Sequence, residues 1–427
     1  MLSISNNKRY LLEDGKPFFW LGDTAWLLFS RCSIDDAYIY LKNRAAKGFN
    51  VIQIMLTNEI GVADIYGNKP FIDNDLCKID VNGTYIQNAL KMCKIANELG
   101  MYVAIVPCWG SLAKDGYLNT LNVVEFSTMV SDIFKDIDKL IYFVGGDVRG
   151  DVCFNVFNLM GKTLKDLNKN KFVTFHPFGR TSSSYWFSDV DWLDINMFQS
   201  GHRRYDQKNL SYWDDNNGKE LWYGEDNFGY VYHDSKYLKP TLDSEPSYEQ
   251  IPQGLHNPNE PYWQACDVRR YAYWSVFAGA CGHTYGDNSI IQFYDESTIK
   301  IAYSAKDYWY MAIHHSGSSQ MKFLKDLMCS VDFINGKDRC DLLTSPQKEK
   351  YGRVQVFAGE NYLFAYDYLG EEFSLNLSEF KQNLSAYWFD PENGSMSYFG
   401  EVKGENISFK PQKKYSTDND WVLVLKY

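Results

Sequence analysis

Residues 239–251 read KPTLDSEPSYEQI, a short β-rich run that ends in the carboxylate Glu245 and is followed at once by Pro246. Proline has no backbone N–H to donate to a strand ladder, so it tends to close the strand before it. Residues 140–147, LIYFVGGD, form a second such run, in which an apolar stretch breaks at two glycines and then presents Asp147. Both carboxylates are therefore expected at the C-terminal ends of strands, where two side chains can face one ligand.

Around these two runs the sequence repeats a strand followed by a helix. Ser33 is a suitable N-cap for the first helix, and Gly48 a suitable end. The expected strands are apolar throughout, as in parallel sheets that helices cover. The pattern predicts an α/β fold, a (β/α)8 TIM barrel over residues 1–331, with a helix-rich stretch at 297–328. The predicted strands are residues 17–22, 49–56, 102–106, 140–144, 172–175, 192–198, 241–245 and 278–285.

From residue 332 the sequence changes to short β runs separated by turn residues. This pattern is typical of an antiparallel β-sandwich, predicted here for residues 332–427 as a C-terminal supporting domain. A carbohydrate-binding module with Tyr387, Trp388 or Tyr398 as a platform for sugar rings is an alternative, although such rings also fill sandwich cores. The expected strands are residues 353–358, 362–366, 373–377, 384–389, 407–409 and 421–425.

Composition limits the partners and the compartment. The 427 residues include 54 acidic and 43 basic side chains, a net charge of −11, which argues against nucleic acid or an anionic membrane as the main partner. No apolar run is long enough to insert in a membrane, and the first residues lack the apolar core of a signal peptide. The chain as it reads is expected in the cytoplasm, or in the periplasm or outside the cell if a signal was removed. Nine scattered cysteines without a CxxC pair predict neither a zinc site nor a disulfide framework.

The sequence lacks the motifs of three common kinds of active site. It contains no GxSxG elbow, no HExxH metal motif and no GxxxxGK[ST] or GxGxxG loop, so no metal or cofactor is expected. A pair of carboxylates remains. Such a pair can hydrolyse a glycosidic bond, because one group protonates the leaving oxygen while the other stabilises or attacks the anomeric carbon. The alternative is a non-catalytic carbohydrate-binding protein on a degenerate barrel, and the sequence indicates no oligomeric state.

Residues near the predicted strand ends would complete a site for an oligosaccharide or polysaccharide. Arg180 could bind the carboxylate of an acidic sugar through two guanidinium nitrogens. The expected substrate contacts are Asp23, Trp26, Trp109, His176, Arg180, Asn196, Gln199, His202, Tyr248, His283 and Tyr285.

Other interpretations of the same residues stay open. Asp147 can cap a helix, and Glu245 can form a structural ion pair with Arg269 or Arg270. If residues 220–223 were the seventh strand, Glu225 would replace Glu245 as the acid at the strand end. His283 and Tyr285 can also form a satisfied pair in the core.

Five segments resemble glycoside hydrolase family 140, the apiosidases: KRYLLEDGKPFFWLGDTAW, LKNRAAKGFNVIQ, FVGGD, TLDSEPSYEQIPQG and RRYAYWSVFAGACGHTYG. The resemblance implies a (β/α)8 barrel, a C-terminal β domain of the collagen-binding type, and cleavage of the bond between apiose and galacturonic acid in the pectin rhamnogalacturonan II. Carried over onto the matching residues, it implies that Asp147 is the acid/base and Glu245 the nucleophile of a retaining reaction. A glycoside hydrolase of another sugar specificity is the alternative.

Overall fold

The computed structural model of the chain describes residues 1–207, 224–414 and 418–427. The chain begins with a three-stranded antiparallel sheet of β1 (Leu2–Ile4), β2 (Leu11–Glu13) and β3 (Lys16–Phe18). Between β2 and β3 it turns through Asp14 and Gly15, both with positive φ, as is usual in tight hairpins. The sequence pattern did not predict β1.

Eight parallel strands form the barrel, and each overlaps its predicted range. The sequence prediction of a TIM barrel is confirmed. The strands are β4 (Trp20–Thr24), β5 (Val51–Met55), β6 (Tyr102–Val106), β7 (Leu140–Gly145), β8 (Phe172–His176), β9 (Asn196–Phe198), β10 (Thr241–Asp243) and β11 (Gly282–Tyr285). Their order is β8-β7-β6-β5-β4-β11-β10-β9, and a bridge between Thr174 and Ile195 joins the two edges.

Helices surround the barrel. The helix after Ser33 starts with a capping box, in which Ser33 Oγ accepts the amide N–H of Asp36 at 3.1 Å and the Asp36 carboxylate accepts the Ser33 amide. The expected helix-rich stretch 297–328 is helical only in part, because residues 297–308 form a loop. Within the described ranges, none of the helices is both long and apolar enough to cross a membrane. The helices are α1 (Leu28–Arg31), α2 (Ile34–Ala46), α3 (Thr84–Glu98), α4 (Gly110–Lys114), α5 (Val123–Ile133), α6 (Phe154–Leu167), α7 (Ser184–Phe187), α8 (Phe228–Asp234), α9 (Ala265–Phe277), α10 (Asn288–Gln292), α11 (Trp309–Ala312) and α12 (Ser316–Cys329).

Alternation along the strands sorts the barrel side chains into two apolar layers. Ile141 and Phe143 of β7 point into the barrel, where Phe143 stacks on Trp20 with 6.4 Å between ring centroids. Tyr142 and Val144 belong instead to the layer between strands and helices. The phase of this alternation decides whether a side chain near a strand end reaches the barrel mouth or the helix layer.

The C-terminal strands form antiparallel sheets, as predicted. A six-stranded sheet and a two-stranded sheet share one apolar core, which includes Val356, Leu363 and Phe409. The strand 396–402 was not predicted, because it lies at the edge of its sheet with mostly exposed side chains and shows no apolar alternation. The strands are β12 (Lys337–Asp338), β13 (Val354–Ala358), β14 (Tyr362–Asp367), β15 (Phe373–Leu375), β16 (Leu384–Phe389), β17 (Met396–Val402), β18 (Ile407–Phe409) and β19 (Trp421–Lys426).

The two faces of the larger C-terminal sheet have different partners. One face packs on α9, where Tyr273 stacks on Tyr366 with 4.7 Å between centroids. On the other face Trp388, one of the rings considered for a sugar platform, is buried in the sandwich. Tyr398 is 58% exposed and contacts the ring of Tyr387.

Candidate active site

The turn after β7 places Asp147 at the mouth of the barrel. Gly145, Gly146 and Asp147 have φ of 83°, 113° and 51°, a left-handed backbone that glycine adopts freely and aspartate tolerates. A Cβ on Gly145 would lie 2.5 Å from the ring of Phe175, and one on Gly146 would lie 2.5 Å from the ring of Trp109. The turn therefore requires the two glycines, and it presents the exposed Asp147 side chain to a cavity.

Glu245 follows β10 at the same end of the barrel and is largely buried. Gln199 donates Nε2 to Oε1 of Glu245 at 2.7 Å, and Nε2 of His202 lies 3.2 Å from the same oxygen. Nε2 of His176 lies 3.3 Å from Oε2. Burial by itself raises the pKa of Glu245, but the interactions with His176 and His202 outweigh it and lower the pKa to about 2. Glu245 is therefore ionised near neutral pH.

Both carboxylates line one cavity of about 390 Å³, a volume within the usual range of ligand sites. Trp26 and Trp109 form an aromatic wall, with 5.2 Å between their ring centroids. Tyr303 also lines the cavity, and burial together with the charges of Asp147 and Glu245 raises the pKa of its hydroxyl. The lining residues are Trp26, Leu27, Met55, Asn58, Trp109, Asp147, Phe178, Gly179, Arg180, Gln199, Gly201, His202, Arg203, Glu245, Tyr248, Ile251, Leu255, His256, Ile291, Gln292, Ala302 and Tyr303.

Most of the site residues expected from the sequence lie on this lining. His176 does not line the cavity; it is fully buried behind Glu245 and contacts that carboxylate instead. In the part of the chain that the structure describes, no group of three or more His, Cys, Asp or Glu side chains could hold a metal ion. The expected residues on the lining are Trp26, Trp109, Asp147, Arg180, Gln199, His202, Glu245 and Tyr248.

Asp23 lies outside the cavity, which corrects its expected role as a substrate contact. Its carboxylate is fully buried on the helix side of β4 and forms an ion pair with Arg44 of α2, which is also fully buried. The hydroxyl of Tyr40 donates to the same carboxylate oxygen at 2.5 Å. Asp23 therefore attaches α2 to the barrel.

Three more expected contacts are absent from the lining. Like Asp23, they stand at strand positions whose side chains point away from the barrel interior. Asn196 is in phase with Phe198, whose ring stacks on α8. Tyr285 points to the helix layer and donates its hydroxyl to Glu249. Burial lowers the pKa of His283 to about 3, so this residue is neutral, and neither of its ring nitrogens has a hydrogen-bond partner among the described residues.

The arginines considered as structural partners of Glu245 bind other acids. Arg269 pairs with aspartates of the C-terminal domain, and Arg270 pairs with Glu225. Glu225, the alternative acid at a strand end, is fully buried in that ion pair and does not line the cavity. The alternative strand at 220–223 lies outside the described residues, and β10 occupies the seventh place in the barrel.

Sequence reasoning missed several cavity residues that loops supply. Tyr303 lies in the loop 297–308 and has a positive φ of 49°. Asn288 donates Nδ2 to the carbonyl of Tyr303 at 2.8 Å, and Gln292 exchanges two hydrogen bonds with the backbone of Ala302. Such a loop has no periodic pattern. Arg203 had a signal in the sequence, because it is a cationic residue next to the predicted His202 and close to an expected strand end.

Two family models match the chain over consecutive ranges. The first, described as "Apiosidase-like, catalytic domain", matches residues 5–335. The chain belongs to this apiosidase-like family. The C-terminal part of this apiosidase-like protein matches a second model, "Putative collagen-binding domain of a collagenase", over residues 339–426.

Solved structures similar to this apiosidase-like protein support an enzymatic role. One, titled "Glycoside hydrolase", is 38% identical, covers 100% of this chain and 96% of its own, and superposes with a TM-score of 0.94. Another, a glycoside hydrolase family 5 protein from Bacteroides vulgatus, is 36% identical, covers 100% of this chain and 93% of its own, and has a TM-score of 0.94. No curated protein matches the chain. The apiosidase-like protein is a glycoside hydrolase.

Proposed function

We propose that this glycoside hydrolase belongs to glycoside hydrolase family 140 and cleaves the bond between apiose and galacturonic acid in rhamnogalacturonan II. The observation that supports this most directly is the composition of the cavity. Two carboxylates, Asp147 and Glu245, line it together with two cationic side chains, Arg180 and Arg203. The carboxylates suit the hydrolysis of a glycosidic bond, and the arginines suit a sugar acid next to that bond.

The surroundings of Glu245 suit a nucleophile. A nucleophilic carboxylate has to be ionised, and the contacts with His176, His202 and Gln199 keep it so. Asp147 is exposed on a loop that Gly145 and Gly146 allow to turn sharply, a position from which a carboxyl group can reach the leaving oxygen and then water. The two groups therefore lie in different environments, and Glu245 is the one that its surroundings hold ionised.

The reaction runs in two balanced steps. In the first, an oxygen of Glu245 bonds to the anomeric carbon of apiose, the glycosidic C–O bond breaks, and Asp147 gives its proton to the leaving oxygen of galacturonic acid. In the second, Asp147 takes a proton from water, whose oxygen bonds to the anomeric carbon while the bond to Glu245 breaks. The product keeps the configuration of the substrate.

The cavity lining offers suitable contacts to both sugars of the proposed substrate. The rings of Trp26, Trp109 and Tyr303 offer flat apolar faces to the C–H groups of a sugar. Arg180 and Arg203 offer guanidinium groups to a uronate, a pairing that can form two parallel hydrogen bonds. A neutral glycan would offer these guanidinium groups no carboxylate.

The test is release of apiose from rhamnogalacturonan II oligosaccharides, followed by chromatography and by NMR of the first anomer formed. Glu245→Gln should lose activity by several orders of magnitude and Asp147→Asn by at least about a hundredfold. Asp151→Asn is a matched control on the same loop, because Asp151 binds Arg149 at 2.9 Å and does not line the cavity. Wild-type activity in Glu245→Gln, or release of the inverted anomer, would refute the proposed mechanism.

Chemical rescue assigns the two roles. In Glu245→Ala, added azide can replace the missing nucleophile and yields a glycosyl azide of inverted configuration. In Asp147→Ala, azide attacks the glycosyl-enzyme and yields the retained configuration. The opposite pattern would mean that the two roles are exchanged.

A further inference from the structure

The segment after β9 brings His202 and Arg203 to the cavity, and it is held from two sides. On the inner side, the amide of His202 donates to Oγ of Ser247 at 2.9 Å. On the outer side, the amide of Tyr205 donates to Oε1 of Glu225 at 2.8 Å. Two residues after Arg203, therefore, the backbone is fixed to a carboxylate that does not belong to the cavity.

Glu225 is a fully buried charge whose partners come from distant parts of the chain. Arg270 of α9 pairs with it, and both side chains are 0% exposed. The hydroxyl of Tyr351 donates to Oε1 of Glu225 at 2.8 Å. A buried carboxylate is costly unless such donors compensate it, so each of them helps to determine where the carboxylate lies.

Tyr351 reaches this ion pair from the C-terminal domain, in the short helical turn Lys350–Gly352 before β13. Its ring centroid lies 5.1 Å from that of Tyr205 and 4.9 Å from the guanidinium carbon of Arg270. Tyr351 therefore contacts Glu225, the cation that neutralises it, and the segment that leads to the cavity.

A second tyrosine of the same domain shares the cation but not the carboxylate. Tyr368 lies over the guanidinium group of Arg270 at 5.3 Å, and its hydroxyl donates to Asp267 at 3.2 Å. The two tyrosines can therefore be compared directly. Of their two hydroxyls, that of Tyr351 bonds to Glu225, and no such bond is made by that of Tyr368 among the described residues.

We propose that Tyr351 is a positioning residue of the active site. By holding Glu225 and Tyr205 it fixes the segment that carries His202 and Arg203, so that the C-terminal domain contributes to substrate binding without touching the substrate. The inference rests on the proposed function in one respect, namely that the cavity is where the glycan binds. Because Ser247 holds the amide of His202 directly, loss of the Tyr351 hydroxyl should displace mainly Arg203, a binding group, and so change KM more than kcat.

Amide hydrogen exchange measures directly how firmly the segment is held, and it needs no substrate. Tyr351→Phe removes the hydroxyl and keeps the ring, and Tyr368→Phe makes the same change on the other side of the guanidinium group. We expect the peptide 199–207 to exchange roughly tenfold faster in Tyr351→Phe, because a hydrogen bond to a charged group is lost, and at the wild-type rate in Tyr368→Phe. Wild-type exchange in Tyr351→Phe would overturn the proposal.

Steady-state kinetics on apiose-bearing rhamnogalacturonan II oligosaccharides test the consequence for binding. KM should rise roughly tenfold in Tyr351→Phe with kcat within about twofold of wild type, and neither constant should change in Tyr368→Phe. Faster exchange with an unchanged KM would overturn the claim that the domain contributes to binding. The Glu245→Gln variant separates this inference from the proposed function. If that variant is active, the proposed function fails. The exchange result still decides whether Tyr351 holds the segment.

Discussion

Nε2 of the buried His176 lies 3.3 Å from Oε2 of Glu245, whereas Gln199 and His202 contact the other carboxylate oxygen, Oε1. The sequence predicts His176 as a contact for the substrate, whereas in the structure it contacts the carboxylate proposed to attack the substrate. This arrangement links activity to pH, because the imidazole groups favour the ionised form of Glu245.

Replacing His176 by phenylalanine keeps an aromatic ring beside Trp26 and Trp109 and removes one partner of Glu245. The pKa of Glu245, about 2 in the wild type, should rise, because burial then opposes the charge with fewer compensating contacts. Activity is lost as the pH falls through this pKa. The acid limb of kcat/KM should therefore move upward by about one pH unit or more, measured as a pH profile.

The control for this change is His233→Phe. His233 packs on Tyr185 with 5.0 Å between ring centroids and does not line the cavity. The acid limb of kcat/KM in the His233→Phe variant should match that of the wild type. A folded His176→Phe variant with an unmoved acid limb would show that this imidazole does not set the pKa of Glu245.

Arg180 should discriminate between charged and neutral substrates. Arg180→Met keeps much of the side-chain length and removes the charge from the cavity lining. We expect KM for apiosyl galacturonide oligosaccharides to rise by roughly tenfold or more, because a charge-assisted pair is lost, while KM for para-nitrophenyl apioside stays within about twofold. Steady-state kinetics on both substrates measure the difference. An equal rise on both would argue against recognition of the uronate by Arg180.

Tyr303 should affect the rate more than binding. Burial and the charges of Asp147 and Glu245 raise the pKa of its hydroxyl, so it stays protonated and offers a hydrogen-bond donor on the cavity lining. Tyr303→Phe should lower kcat by roughly tenfold, because a donor close to developing charge is removed. Tyr294→Phe is the control, since Tyr294 packs on Tyr308 next to the same loop and does not line the cavity. Unchanged kcat in Tyr303→Phe would exclude this role.

Asp23 should matter for stability and not for substrate binding. Asp23→Ala leaves the buried Arg44 without its carboxylate, which should lower the free energy of unfolding by about 3–5 kcal/mol, measured by urea denaturation. KM of the folded variant should equal that of the wild type. Breaking the exposed pair Lys162–Asp166 with Lys162→Ala should cost about 1 kcal/mol or less. A raised KM with full stability in Asp23→Ala would restore the prediction of a substrate contact.

Asp243 should make stability depend on pH. Burial raises its pKa from 3.8 to about 7, against the hydrogen bonds from Ser200 and Asn227. The folded state therefore holds the proton more tightly than the unfolded state. This contribution to stability is complete below the unfolded pKa and is lost as the pH rises towards the folded one.

Asp243 can change the free energy of unfolding by at most about 1.4 kcal/mol per pH unit. Urea unfolding at several pH values measures this change. Asp243→Asn cannot titrate, so its free energy of unfolding should fall less with rising pH over the same window. If both proteins show the same pH dependence between the two pKa values, Asp243 is not protonated in the folded state.

The sequence by itself determined the barrel and indicated two carboxylates at its rim. Apolar runs that alternate with helical patterns leave few ways to bury the apolar surface, and the glycines before Asp147 and the proline after Glu245 mark strand ends at the same rim. The sequence also indicated Trp26, Trp109 and Gln199, which line the cavity.

Only the tertiary structure decided which way the other rim residues point. Successive side chains on a strand face opposite sides, so a shift of one residue in the strand phase sends a side chain to the helix layer, as happened to Asp23 and Tyr285. Nor could periodicity reveal Tyr303 or the contact of Tyr351 with Glu225, because loops have no repeat and the latter pair is separated by 126 residues. Contacts between such distant groups form only when the whole chain packs.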